Sequence, residues 1–279
     1  MTTAVVLGKA PSLARSLTRG ALRSPAKRPS PQASYPRTRL ILRDVRADAS
    51  RLSSYHRLCG FPPPAGHLPL PYPHLLAFPL TMRLLSARDF PLPLLGLVHT
   101  SITLTRHTAL PAGAAYELGV QVDDLSPHHR GTQATVLTEA RLDGNLVWES
   151  RSTYLARHRT AHGPAPAGPP GPVPLPVLAE WPLPAGLGRA YAALSGDRNP
   201  IHLHPLTARL FGFPRAIAHG MWTAARCLAA YGDVSTADVR FRSPVLLPGT
   251  VRYGAEGDRF ELRGERGRLH LSGRAGGAV

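Results

Sequence analysis

The chain has 279 residues, 43% hydrophobic and 18% charged, which is enough for one large domain or two modest ones with real cores. This composition excludes an intrinsically disordered chain. The only two cysteines, Cys59 and Cys227, are far apart, which excludes a disulfide framework and a structural zinc site and is typical of a reducing compartment.

The net charge of +16 is unevenly distributed. Residues 1–43 hold two lysines, seven arginines and no acid, and so contribute +9 of it. Because lysine occurs only at positions 9 and 27, nearly all basic charge is arginine, which we interpret as compositional bias. Aromatic and basic residues are not interleaved, so we expect no nucleic-acid partner, although a basic surface still attracts anions.

Residues 1–37 are predicted to form a basic leader that is flexible or loosely helical. The segment is rich in serine and alanine, as organelle transit peptides are, but its apolar run at residues 4–7 is too short for a signal peptide. No stretch of the chain approaches the ~20 apolar residues that cross a bilayer. We therefore expect a cytoplasmic protein without a membrane span.

A proline- and glycine-rich segment at residues 161–176 divides the remaining chain into halves, 38–160 and 177–279. Such a segment continues neither a helix nor a central strand, so it predicts a linker. The halves resemble each other, which indicates duplication. Residues 55–60 align with 191–196, and residues 72–77 with 213–218.

Each half is predicted to contain a helix followed by antiparallel strands. In the first half an apolar helical stretch at 80–85 precedes four strands, the last two joined by an Asp-Gly-Asn turn; the predicted strands are 98–104, 116–122, 133–142 and 146–155. In the second half a helix at 216–231 precedes strands that end in a hairpin of 260–262 and 268–271. This order predicts an α+β fold with a sheet wrapped around a helix.

Chemistry is concentrated in the loop sequence GDRNPIH, which carries Asp197, Asn199 and His202. A carboxylate and an imidazole that converge on one water can deprotonate it and deliver a proton elsewhere. The Asn199 amide can brace the loop, either through the backbone or through this pair. Further on, Gly220 opens an apolar helix, whose free N-terminal amides would stabilise negative charge developing on a carbonyl oxygen.

The motifs YAALSGDRNPIH, IAHGM and FRSPVLLPGT resemble those of the MaoC-like hydratases and dehydratases, a hot-dog-fold family that includes R-specific enoyl-CoA hydratases. The resemblance implies catalytic roles for Asp197 and His202, a conserved amide at Asn199, and contact between Gly220 and the thioester oxygen. It also implies a double hot dog, with two antiparallel sheets each wrapped around a central helix. Many members have an acid where this chain has His204, which we expect to support the loop.

The first half lacks these groups. Phe61 stands at the position of Asp197, prolines replace the polar loop, and Phe78-Pro79 stands where the second half has His219-Gly220. We therefore interpret 38–160 as a degenerate hot dog that binds substrate and 177–279 as the catalytic one. The chain is then a monomeric pseudo-dimer or forms a homodimer.

The expected activity is interconversion of trans-2-enoyl and (R)-3-hydroxyacyl thioesters in fatty acid metabolism. The acyl group would be carried on coenzyme A or acyl-carrier protein, and we expect neither a metal nor another cofactor. A hot-dog thioesterase and a non-catalytic acyl-binding subunit are the alternatives. His219 is either structural or a substrate contact, and the further candidates for substrate binding are Arg215, Met221, Trp222 and Arg240.

Overall fold

The structure, a computed structural model, describes residues 2–160 and 173–277, so most of the predicted linker lies outside the described residues. Within those ranges the chain forms eleven strands and seven helices. In chain order they are β1 (Thr3–Leu7), α1 (Leu13–Arg23), β2 (Thr38–Val45), α2 (Ala49–Cys59), α3 (Tyr72–Leu85), β3 (Val98–Arg106), β4 (Tyr116–His128), β5 (Gly131–Leu142), β6 (Asn145–Arg157), β7 (Val177–Leu183), α4 (Leu187–Ser195), α5 (Pro200–Leu203), α6 (Pro205–Arg209), α7 (Gly220–Tyr231), β8 (Thr236–Phe241), β9 (Gly249–Glu256), β10 (Arg259–Gly264) and β11 (Leu269–Gly276).

The chain separates into two compact units that differ from the predicted halves. Unit 1 comprises Met1–Val45, Leu76–Ile102 and Ala115–Val173, and unit 2 comprises Arg46–Leu75, Thr103–Ala114 and Pro174–Val279. The division at residues 161–176 therefore misplaces α2, which lies in the first half of the sequence but belongs to unit 2. The physical reason is that α2 packs on α4 and α7.

Unit 1 contains the long antiparallel strands. Its strand order begins β1-β2-β4-β5-β6, and β4, β5 and β6 pair over most of their length. The predicted Asp-Gly turn joins β5 to β6, with φ values of 50° at Asp143 and 81° at Gly144, as a tight two-residue hairpin requires. Buried residues of α3 and of alternating positions in these strands form the core of the unit.

Residues 2–37 contain β1 and α1, whereas the sequence predicted a leader that is flexible or loosely helical. β1 pairs in parallel with β2 from Thr3 opposite Thr38 to Leu7 opposite Leu42. The ammonium group of Lys27 donates hydrogen bonds to the carbonyl oxygens of Ala87, Arg88 and Phe90, at 3.1, 2.7 and 2.5 Å. The sequence did not predict these contacts, because backbone pairing and hydrogen bonds to carbonyl oxygens leave no hydrophobic pattern in a polar, basic segment.

Unit 2 combines an antiparallel sheet with the helices that surround the GDRNPIH loop. Its strand order is β8-β11-β10-β9-β7. The predicted helix at 216–231 begins later, at Gly220, because residues 216–218 are extended and pair with residues 245–247. Over the described residues, no helix combines the length and the apolar character needed to cross a membrane.

The duplicated motif is visible at the ends of two helices of unit 2. Gly60 follows α2 with φ 79°, and Gly196 follows α4 with φ 76°. This left-handed conformation strongly favours glycine, so the aligned Tyr…Gly segments share a helix end as well as a sequence. The later alignment is less faithful in structure: Pro79, aligned with Gly220, lies inside α3 rather than at its start.

Candidate active site

The loop after α4 is held in shape by its own side chains. Oδ1 of Asp197 accepts a hydrogen bond from the backbone N–H of Asn199 at 3.2 Å, which is an aspartate turn. Oδ1 of Asn199 then accepts from the N–H of Ile201 at 3.4 Å and caps α5, where Pro200 fixes the first turn. Asn199 therefore braces the backbone, and Asp197 retains Oδ2 for other contacts.

The His202 imidazole is fixed by a backbone carbonyl from a distant part of the chain. Its Nδ1 lies 2.8 Å from the carbonyl oxygen of Ile217, and the N–H of Ile217 in turn donates to the carbonyl oxygen of Ile201 at 3.1 Å. A carbonyl oxygen only accepts, so Nδ1 carries the proton and Nε2 presents a lone pair. The side chain is 8% exposed.

His219 joins the loop to the start of α7. Its Nε2 donates to the backbone carbonyl of Asp197 at 3.0 Å and lies 3.9 Å from Oδ2 of the same residue. Its ring stacks on that of His202 with 3.6 Å between ring centroids. The ring of Tyr191 also contacts it, with 4.9 Å between the ring centroids. One imidazole thus contacts both members of the predicted catalytic pair.

Asp197, His202 and His219 form a compact group, with one side-chain atom from each lying within 4.8 Å of the others. Burial lowers the pKa of His202 below its usual 6.5, although the charge of Asp197 and the Ile217 carbonyl oppose this. Burial, followed by the neighbouring His202, lowers the pKa of His219 to about 4. Both imidazoles are therefore neutral at pH 7, and His202 can accept a proton.

The same three residues are possible metal ligands, and their geometry tests that reading. A metal ion binds the in-plane lone pair of an imidazole at about 2.0–2.1 Å. The rings of His202 and His219 are nearly parallel, at 23°, and stacked 3.6 Å apart, so their in-plane lone pairs do not converge on one point. The group therefore fits acid–base chemistry better than metal binding.

The start of α7 supplies backbone donors near this group. Gly220 is its first residue, and His219 precedes it in an extended conformation without a side-chain cap. The first amides of a helix have no partner within the helix and lie at its positive end. A Cβ at Gly220 would come within 3.2 Å of the Phe241 ring, so the space on that side of the glycine is filled by this ring.

Gly188, in α4, allows the loop to approach its helix, and sequence analysis missed it. A Cβ at this position would lie 2.0 Å from the carbonyl oxygen of His202. Because that oxygen belongs to the backbone, the clash could be relieved only by moving the backbone. Ile217 was missed as well, because it contributes only its backbone. A glycine inside a predicted helix is a usable signal of close approach, whereas a backbone acceptor leaves none.

The remaining predicted residues have separate roles. Nδ1 of His204 accepts from the N–H of Leu206 at 3.2 Å and so caps α6, the helix that follows the loop and α5. Arg215 is exposed and donates to the carbonyl oxygen of Pro248 at 2.9 Å. Arg240 is exposed on β8 and lies 3.5 Å from a carboxylate oxygen of Asp238, while Met221 is half-buried in the first turn of α7.

Trp222 is the clearest departure from the predicted set of substrate contacts. It is 3% exposed, and its indole Nε1 donates to the carbonyl oxygen of Leu58 in α2 at 3.0 Å. A buried indole N–H requires an acceptor, and this one lies in the protein. Trp222 therefore joins α7 to α2 by a hydrogen bond, and its indole N–H is not available to a substrate.

The chain is similar to known proteins over most of its length. The family profile for the MaoC like domain matches residues 187–265. The 3-hydroxyacyl-thioester dehydratase X of Mycobacterium tuberculosis is 35% identical over 233 residues, which cover 80% of this chain and 82% of that protein. A crystal structure of that species' HtdX superposes with a TM-score of 0.75 at 32% identity, covering 86% of this chain and all of the other.

A third protein bears on the fold alone. It is a conserved M. tuberculosis protein described as having a double hot-dog fold, and it matches with a TM-score of 0.52 at 15% identity over 83% of this chain and 92% of its own. The predicted α+β double hot-dog fold is confirmed by these neighbours. With its extended similarity to dehydratase X and the domain match at 187–265, the chain belongs to the MaoC-like hydratase and dehydratase family.

Proposed function

We propose that this protein interconverts trans-2-enoyl and (R)-3-hydroxyacyl thioesters, as a hydratase and dehydratase of fatty acid metabolism. The observation that carries the proposal is the convergence of the Asp197 carboxylate and the neutral His202 imidazole, within 4.8 Å, beside the amides at the start of α7. Its family relative is named a 3-hydroxyacyl-thioester dehydratase, which supports the same reaction.

The pair can bind and activate one water. Nε2 of His202 has a lone pair because Nδ1 is committed to Ile217, and Oδ2 of Asp197 is free of the aspartate turn. A water bridging two acceptors less than 5 Å apart makes hydrogen bonds of ordinary length to both. In hydration, the water oxygen bonds to C3 as the π bond between C2 and C3 breaks. The pair takes one proton from the water and delivers one proton to C2, so it ends in its starting protonation state.

The reaction also requires stabilisation of the thioester carbonyl. Negative charge moves toward the thioester oxygen as water adds at C3, and amides preorganised to receive that charge lower the barrier. Gly220, the first residue of α7, supplies such an amide. Dehydration follows the same steps in reverse, with the pair removing the C2 proton and protonating the leaving hydroxyl.

The acyl carrier is proposed to be coenzyme A or acyl-carrier protein, with no metal and no other cofactor in the reaction. The exposed arginines near the loop, Arg198 and Arg215 among them, suit an anionic carrier. The protein is proposed to act in the cytoplasm, as a monomeric pseudo-dimer or a homodimer, with its first hot dog contributing to substrate binding.

The proposal is tested with the full-length protein and a series of trans-2-enoyl-CoA esters from four carbons upward, together with the matching carrier-protein thioesters. Hydration appears as loss of enoyl absorbance and as a product that an (R)-specific 3-hydroxyacyl dehydrogenase oxidises. Release of free thiol without hydration would establish a thioesterase instead. Binding without either reaction would establish a non-catalytic acyl-binding subunit.

A further inference from the structure

His219 contacts both members of the reactive pair but has no part in the scheme above. It is 3% exposed and is held from three sides: by the Asp197 backbone carbonyl, the His202 ring and the Tyr191 ring. Such complete burial of an imidazole costs free energy unless it is compensated. A position that only had to begin α7 would be satisfied by a small polar cap, so the ring and its donor require an explanation.

From this geometry, we propose that His219 is a positioning residue: its Nε2–H anchors the Asp197 loop and its ring backs the His202 imidazole, so that the carboxylate stays beside the base. The inference rests on the proposed function for its catalytic consequence. Its structural content does not, because the contacts between the three residues exist whatever reaction the site performs.

The anchor acts on Asp197 through its backbone. The hydrogen bond of 3.0 Å from His219 ends on the carbonyl oxygen of Asp197. The Asp197 side chain accepts a hydrogen bond from the backbone N–H of Asn199, two residues later, so both bonds belong to the same turn. Loss of the donor would therefore release the turn as a whole. A shift of about 1 Å in a catalytic group is enough to cost on the order of 100-fold in rate.

The ring acts on His202 by remaining uncharged. Among the described residues no acceptor or donor reaches its buried Nδ1, so a second proton on the ring would find no hydrogen-bond partner there. The ionisable groups around the stacked pair are the Asp197 carboxylate, the two imidazoles and the Tyr191 phenol, whose pKa burial raises. When His202 takes up a proton, it therefore stacks on a neutral ring and faces one negative charge.

Two substitutions separate the donor from the ring. His219→Gln places an amide nitrogen the same number of bonds from Cβ as Nε2, so it keeps the donor to Asp197 and loses the ring. His219→Phe keeps a flat ring for stacking and loses the donor. The charge of Asp197 raises the pKa of His202, so a loosened Asp197 lowers that pKa further.

We expect kcat of His219→Phe to fall on the order of 100-fold. Its KM should stay close to that of the wild type, and the acid limb of its pH profile should move to lower pH. His219→Gln should lose less activity and keep the wild-type limb. Circular dichroism and thermal melting establish that both variants are folded, and a merely structural residue would lower stability without moving the limb.

The His202 titration, followed by imidazole NMR and assigned with His202→Ala, provides a readout that needs no turnover. The inference is overturned if the His202 pKa in His219→Phe equals the wild-type value, or if the Gln and Phe variants shift it equally. Should the wild type hydrate none of the thioesters, the proposed function fails, and this titration still decides whether His219 holds Asp197 beside His202.

Discussion

Nδ1 of His202 lies 2.8 Å from the carbonyl oxygen of Ile217, and the segment that carries this carbonyl pairs through Ile217 with Leu246. The contact determines the tautomer of the imidazole, because the carbonyl leaves Nε2 as the atom with a free lone pair. The residues of FRSPVLLPGT that follow β8 thus act on the site indirectly: by pairing with residues 216–218, they hold the acceptor that orients the base.

Replacing either member of the reactive pair should remove hydration. His202→Ala deletes the base and Asp197→Asn deletes the negative charge, and general acid–base groups contribute about 10²–10⁴-fold to a rate. Steady-state hydration of an enoyl thioester measures the loss. His204→Ala is the matched control, since His204 is an exposed histidine two positions away that caps α6, and its rate should stay near that of the wild type. Equal losses in all three variants would contradict the assignment.

The rate of hydration should fall on the acid side at a pH below 6.5. Burial lowers the pKa of His202, so the neutral imidazole that accepts the proton persists to lower pH than a histidine in solution would allow. The profile of kcat/KM against pH, which reports groups of the free enzyme, should show this limb. A limb above pH 6.5 would mean that Asp197 outweighs burial.

The reactive loop could be predicted from the sequence because its chemistry lies in side chains at fixed spacing. Asp197, Asn199 and His202 were predicted together, and the hairpin at Asp143 and Gly144 was predicted from turn chemistry that requires positive φ. In both places the backbone turn follows from the local sequence, through the side-chain hydrogen bonds of Asp197 and Asn199 in the loop and the positive φ at Asp143 and Gly144 in the hairpin.

Other features depend on contacts that no local pattern records. The carbonyl of Ile217 carries no side-chain signal, and the assignment of α2 to unit 2 depends on packing against α4 and α7. Trp222 has the same apolar character whether it lines a pocket or fills the core, so only its bond to Leu58 distinguishes the two. These features follow from tertiary structure, and the sequence therefore could not predict them.

Gly188→Ala should disturb the active loop directly. The added Cβ would lie 2.0 Å from the His202 carbonyl oxygen, so α4 and α5 must move apart. We expect a stability loss of about 1–3 kcal/mol, as for other overpacking substitutions, together with a larger fall in kcat. Gly186→Ala is the control two positions earlier, where the nearest atom to an added Cβ is the end of the Arg189 side chain at 3.7 Å. Urea unfolding and steady-state kinetics compare them, and identical behaviour of the two variants would refute the steric argument.

Lys27→Met should destabilise unit 1, because it leaves three carbonyl acceptors without the ammonium group that contacts them. A hydrogen bond to a charged group contributes about 1.5–3 kcal/mol, and the partial exposure of Lys27 places the loss at the low end. Lys9→Met is the natural control, since Lys9 is the other lysine of the chain and is exposed. Thermal melting should separate the two variants by several degrees; coincident melting curves would show that the N-terminal segment contributes no stability through Lys27.

Acid should destabilise the folded protein through its buried neutral histidines. Burial lowers the pKa of His74, in α3, to about 4, and His219 has a pKa of about 4 as well. Between pH 6.5 and 4 the unfolded chain therefore binds protons that the folded chain does not, so the free energy of unfolding decreases as the pH falls through this window. Each such histidine contributes a slope of about 1.4 kcal/mol per pH unit. His219→Gln should reduce this slope in urea titrations between pH 7 and 4.5. If His219→Gln leaves the slope unchanged, the imidazole of His219 is protonated in the folded protein, and the neutral stack with His202 does not exist.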